Sequence, residues 1–225
     1  MFEIYTKMFQ ALLPGKVEEF AKKEKGTVKD AIMVLVFAWV VTFFLDLIGV
    51  GLAMGRGAEQ LAPLTNLFGG TVIGGLTIVT VVVNSIIGLI WAIILNYLVQ
   101  WLGSFVAKSA FKGTGNFPQQ FYVAMLFTGA IAIIGSVLNI LFGLLPMLGI
   151  LNVVIGTLLL LWSIYLLFVT VKAVQKLEVL GAAVTTLAMV IGAFVLTLVV
   201  IAIVSVVLVA LGVGAAGAIA GVSNP

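Results

Sequence analysis

The 225-residue chain contains no cysteine and no histidine. The first absence excludes a disulfide framework, a thiolate metal site and a thiol nucleophile. The second removes the commonest metal ligand and the side chain that titrates nearest neutrality. Charge is scarce too, at 8% of residues, where an average soluble domain carries about 25%. A chain so apolar and so poor in charge is not a soluble domain, a disordered segment or a nucleic-acid binder. Paired carboxylates are missing from the apolar runs, where Asp46 stands alone, and there is no G-x-S-x-G, H-E-x-x-H or P-loop pattern. No residue is therefore a candidate catalyst or metal ligand, no cofactor is implied, and the expectation is a non-enzymatic protein.

What is present is apolar: 63% of residues, with a mean hydropathy of +1.34. The charges concentrate at the start. Residues 1–30 hold Lys7, Lys16, Lys22, Lys23, Lys25 and Lys29 with Glu3, Glu18, Glu19, Glu24 and Asp30. This predicts an all-α membrane protein with a short amphipathic head at 1–30 and a membrane domain at 31–211. The Gly/Ala-rich tail, 212–225, is expected to be flexible.

A helix of about 20 apolar residues crosses a hydrocarbon core about 30 Å thick. Five runs qualify, at about 31–54, 72–103, 121–142, 153–171 and 183–211. Thr27 and Asp30 have the spacing of a capping box before the first. A polar, turn-rich stretch from Gly55 to Asn66 should separate the first span from the second. The apolar run Leu67–Ala107 would be about 60 Å long as one helix, too long for one upright span and short for two. Charge decides the matter. With five spans, ten lysines (Lys108, Lys112, Lys172, Lys176 and the six of the head) share one side, against Arg56 alone on the other. Six spans would divide them almost evenly. The positive-inside rule then predicts a cytoplasmic N-terminus and an extracytoplasmic C-terminus, in the cytoplasmic membrane of a prokaryote. Polar loops are expected at Lys108–Gln120 and 172–182, with a tight turn at Gly143–Asn152.

In the head, Phe2, Tyr5, Phe9 and Leu12 recur at helical spacing, Pro14-Gly15 interrupts, and Val17, Phe20 and Ala21 form a second apolar stripe. Two short helices lying at the cytoplasmic interface are predicted, either as an anchor for the first span or as a partner-docking element. Within the spans, small and polar residues fall at steps of three and four: Ala38, Thr42, Asp46 and Gly49; Asn84, Gly88, Ala92 and Asn96; Thr128, Ala132, Ser136 and Asn139; Gly181, Thr185, Ala188 and Gly192. These stripes should face the bundle interior. Asp46 is the costly residue, at roughly 2.5–3.5 kcal/mol near a helix centre. Matching depths predict a hydrogen bond from Asn84 to Asp46, with Asn139 nearby. The cluster reads either as a proton or cation site or as a polar clamp on helix register.

The stretch Phe105–Tyr122 resembles a hallmark of the Yip1-domain membrane proteins, in which a long second span enters a loop of small, basic and glycine residues. The matching positions are Ala107, Lys108, Lys112, Gly113, Gly115, Phe117 and Gln119. Leu13-Pro14 followed by Phe20 is similar to the approach to the first span in prokaryotic members. The resemblance, over roughly residues 10–211, implies a five-span protein with a cytoplasmic N-terminus. It also implies a scaffold or adaptor role in membrane organisation or trafficking, exerted through the cytoplasmic loops. The Asp-Leu-Tyr-Gly-Pro motif and the long cytosolic region of the members that bind Rab-type GTPases are absent from residues 1–30. Taken by itself, the loop reads either as a surface for anionic lipid or a protein partner, or as a tight turn held by its glycines. Expected partners are membrane lipids, a protein at the cytoplasmic loops and, through small-residue stripes, a second copy of the chain. The alternative function is a small channel or transporter with a polar path around Asp46, Asn84 and Asn139.

Overall fold

The computed structural model describes residues 2–68, 70–145 and 149–210, with side chains described at 3–52, 82–145, 150–203, 205 and 206. The expected flexible tail, 212–225, and the side chain of Arg56 lie outside the described residues. Seven helices occur among them: α1 (Phe2–Gln10), α2 (Pro14–Lys23), α3 (Val28–Phe68), α4 (Gly70–Phe111), α5 (Phe117–Leu144), α6 (Gly149–Gln175) and α7 (Val179–Ala210). Five are long and apolar enough to cross a membrane, over Val28–Leu52, Val82–Phe111, Phe117–Leu144, Ile150–Gln175 and Val179–Ile203. From Gly70 onward the long apolar run lies in one helix, α4, while Leu67 and Phe68 end α3.

The helices outrun the spans expected from hydropathy. The stretch 55–66 is not a turn but part of α3, which continues to Phe68. Ala58, Glu59, Gln60, Leu61 and Ala62 are all good helix formers, and hydropathy marks only the part of a helix that lipid can cover. For the same reason α4 reaches Phe111, α5 begins at Phe117, α6 runs to Gln175 and α7 begins at Val179. The expected loops shrink to 112–116 and 176–178. Both close through a left-handed lysine, with φ of 56° at Lys112 and 55° at Lys176. Leu177 N donates to Lys172 O at 3.2 Å, a Schellman closure of α6. The start of α3 carries the predicted capping box: Asp30 N donates to Thr27 Oγ1 at 3.1 Å, and Thr27 N to Asp30 Oδ2 at 3.0 Å.

α5 is the central helix. Every residue from Gln120 to Phe127 is buried, enclosed by α1, α2, α3, α4 and α6. A second, smaller core joins α4 to α7, where Met189 packs on Gly103 and Leu102 on Gly192. Away from these cores the apolar side chains point outward, among them Ile87 and Ile90 on α4, Val153 and Leu161 on α6, and Phe194 and Leu198 on α7. In lipid such a face costs nothing, and close packing is reserved for small residues between helices.

The two short helices expected in the head are present as α1 and α2; both pack against α5, and α2 also packs against α6. At the C-terminal end of α2, Gln119 Nε2 donates to Ala21 O, and to Glu24 O at 2.9 Å. At its other end, Trp162 Nε1 on α6 donates to Leu12 O at 3.1 Å. Trp162 lies about 20 Å before the end of α6 at 1.5 Å per residue, so α2 runs alongside α6 over about that distance. A groove of small residues makes this possible. Met8, fully buried, sits over Gly129 and Ala38. The same packing buries Val17 and Phe20.

Candidate functional site

The residues singled out from sequence separate into two places. One is the end of the bundle that carries the head and the 112–116 and 176–178 loops. The other is the membrane-embedded gap between α3, α4 and α5.

At the head end, a chain of buried amides links three helices. Gln120 Nε2 on α5 donates to Gln100 Oε1 on α4 at 3.0 Å. Gln120 Oε1 accepts from Gln175 Nε2 on α6 at 2.7 Å. Gln175 Oε1 accepts from Gly115 N at 3.2 Å, and Gln175 O from Thr114 N at 3.2 Å. Gln100, Gln120 and Gln175 are all buried. An amide needs partners at both ends when removed from water, and this chain supplies them for Gln120 and Gln175 while tying the loop to α6.

The loop motif has a structural use at nearly every position. A Cβ at Gly115 would lie 2.3 Å from Val174 O, and one at Gly113 would lie 3.1 Å from both Ala107 O and Gln175 Oε1. Neither glycine has a positive φ; the left-handed residue is Lys112. The glycines are there for room rather than for unusual dihedrals. Phe117 stacks on Phe121, with ring centroids 5.9 Å apart, and meets Tyr97 edge-on at 5.1 Å. Gln119 caps the last carbonyls of α2, the groups a helix end leaves without partners. Only Lys108 and Lys112 are exposed and uncommitted to the bundle's packing. Around them, Lys22, Lys25, Lys29 and Lys176 are also exposed.

Ion pairs close the head. Lys7 Nζ lies 2.8 Å from Glu24 Oε1 and 3.0 Å from Glu3 Oε1. The Glu24 carboxylate holds the Lys7 ammonium well above the ordinary lysine range, against an opposing effect of burial. On α2, Glu19 pairs with Lys16 at 2.8 Å and Lys23 at 3.1 Å, which lowers the Glu19 carboxyl below its ordinary value.

The second place is a chamber. Asp46, Asn84 and Asn139 come from α3, α4 and α5, and each side chain is exposed although it lies among the helices. Asp46 borders two cavities. One, of about 350 Å³, is lined by Asp46, Ser136 and Asn139. The other, of about 440 Å³, is lined by Asp46, Trp39 and Asn84. Among the described residues no hydrogen bond joins Asp46 to Asn84. α3 packs mainly on α5 and less on α4, so the expected contact is replaced by open space, and the polar side chain facing Asp46 is Ser136. Among the described residues no three His, Cys, Asp or Glu side chains gather to hold a metal ion.

Sequence reasoning missed the three glutamines and Trp39. A glutamine at the margin of an apolar run signals a buried amide, as Gln120 and Gln175 do, and Gln100 is a lone amide inside its run. Trp39 Nε1 donates to Ser85 O at 2.8 Å and bridges α3 to α4. No sequence signal points to that pairing. No family model, curated protein or solved structure matches the chain.

Proposed function

We propose that the chain is a non-enzymatic membrane scaffold or adaptor that recruits an acidic partner to the head end of the bundle, on the cytoplasmic side. One observation carries this reading: the head and the 112–116 loop are locked onto the helix ends, and the exposed lysines Lys22, Lys25, Lys29, Lys108, Lys112 and Lys176 surround that assembly. Preorganised positive charge attracts an anionic surface and fixes its register. The distribution of lysines supports the cytoplasmic assignment, and the resemblance to Yip1-domain proteins agrees with it.

The test is photo-crosslinking in native membranes from Lys112 and Lys22, which are exposed. The expected result is one protein captured from both positions and lost on Lys108→Glu with Lys112→Glu. Capture of lipid alone, or of other copies of this chain, refutes the adaptor role.

The chamber favours a second reading, a small transporter using Asp46. It predicts cation flux in reconstituted vesicles that Asp46→Asn abolishes in a folded protein. Wild-type vesicles without flux refute it.

A further inference from the structure

We propose that the chamber beside Asp46 binds a small organic ammonium cation, with the Asp46 carboxylate as counter-ion and Trp39 as the aromatic floor. Binding requires no transport, and the site stands whether or not the head end recruits a partner.

Four features define the ligand class. The first is charge. Among the described residues, Asp46 is the one charged side chain lining either cavity, so the chamber calls for a single positive charge. The second is the donor set. Ser136 and Asn139 line one of the cavities that Asp46 borders and Asn84 lines the other, and their neutral oxygens can accept N–H bonds. One carboxylate with a few neutral oxygens falls short of the about six to eight oxygen ligands that Ca2+ takes.

The third feature is the floor. Trp39 precedes Asp46 by seven residues, two helical turns, which places both on one face of α3. Its ring is fixed by the bond to Ser85 O at 2.8 Å and by stacking on Phe43 at 5.5 Å. Tryptophan gives the strongest cation–π attraction of the aromatic residues. The fourth is size and lining. Cavities of about 350 and 440 Å³ that share Asp46 and Val50 match small-molecule sites. Their remaining walls, such as Val50 and Ile140, are apolar. A bare inorganic ion would leave most of this space to water. An alkylammonium fills it with its carbons while its nitrogen meets Asp46.

The experiment is a calorimetric titration of n-butylammonium chloride into the full chain in lipid nanodiscs, at constant ionic strength. One saturable site is expected in the wild type. Asp46→Asn should weaken it by about thirtyfold or more, and Trp39→Leu by about fivefold. Sodium at equal concentration should not displace the probe. If Asp46→Asn fails to fold, Asn139→Leu takes its place, with a several-fold loss expected. The proposal is overturned by no saturable binding in the wild type, by unchanged affinity in the folded variants, or by displacement with sodium.

Discussion

Replacing Gln120 by leucine should be the most damaging single change of polarity in the bundle. Gln120 is fully buried, and both ends of its amide are in use. Gln120→Leu leaves Gln100 Oε1 without its donor and deprives Gln175 Nε2 of its 2.7 Å acceptor. What remains for Gln175 Nε2 is Ser104 Oγ at 3.4 Å, too long to compensate. Each orphaned buried group costs about 1–3 kcal/mol, so the variant should lose about 2–4 kcal/mol after the gain from an apolar side chain. For a chain of this size that corresponds to a fall in Tm of roughly 5–15 °C, read by circular dichroism of the purified protein. The damage should also have an address. Gln175 accepts both Thr114 N and Gly115 N, so those amides should exchange hydrogen faster than in the wild type. Changing Gln100 to leucine as well removes one orphan and should recover part of the loss. A single variant that melts within about 2 °C of the wild type, with unchanged exchange in the loop, would refute the reasoning.

Three further outcomes follow from the same geometry. Gly115→Ala should destabilise by about 1–3 kcal/mol, because the new Cβ meets Val174 O, a backbone atom that cannot swing aside; a melting temperature equal to the wild type's counts against this. Gln119→Leu should release the C-terminal end of α2 and speed proteolytic cleavage near Lys22–Lys25, while the membrane helices stay intact on the same gel. The pH response of the head has a definite sign. Lys7 is raised in the folded state by Glu24, so its contribution is complete below the ordinary lysine value and lost as pH rises through the higher folded value. The fluorescence of Trp162, in a variant lacking the other tryptophans, should hold steady from neutrality to about pH 10 and change only above it. A change between about pH 7 and 9 would contradict the pairing.

The spans were visible in the amino-acid order because lipid imposes a crude requirement: about 20 apolar residues in a row. The capping box at Thr27 and Asp30 was equally visible, being local to four residues. Helix ends were not, since Lys108, Ser109 and Ala110 can continue a helix in water as readily as they can form a loop. Gly113 and Gly115 stood out, but the reason they are glycine is the approach of α6 at Val174 and Gln175, some sixty residues away.

Composition and periodicity thus determined that the chain is an all-helical membrane protein, which helices are long and apolar enough to cross, and that Asp46 falls within one of them. Tertiary structure alone decided what the polar residues meet. Hydropathy depends on the solvent around each residue and is additive along the chain. A hydrogen bond or a cavity depends on two helices arriving at the same depth and angle, so Gln120 found Gln100 and Gln175, while Asp46 found a chamber where a bond to Asn84 was expected.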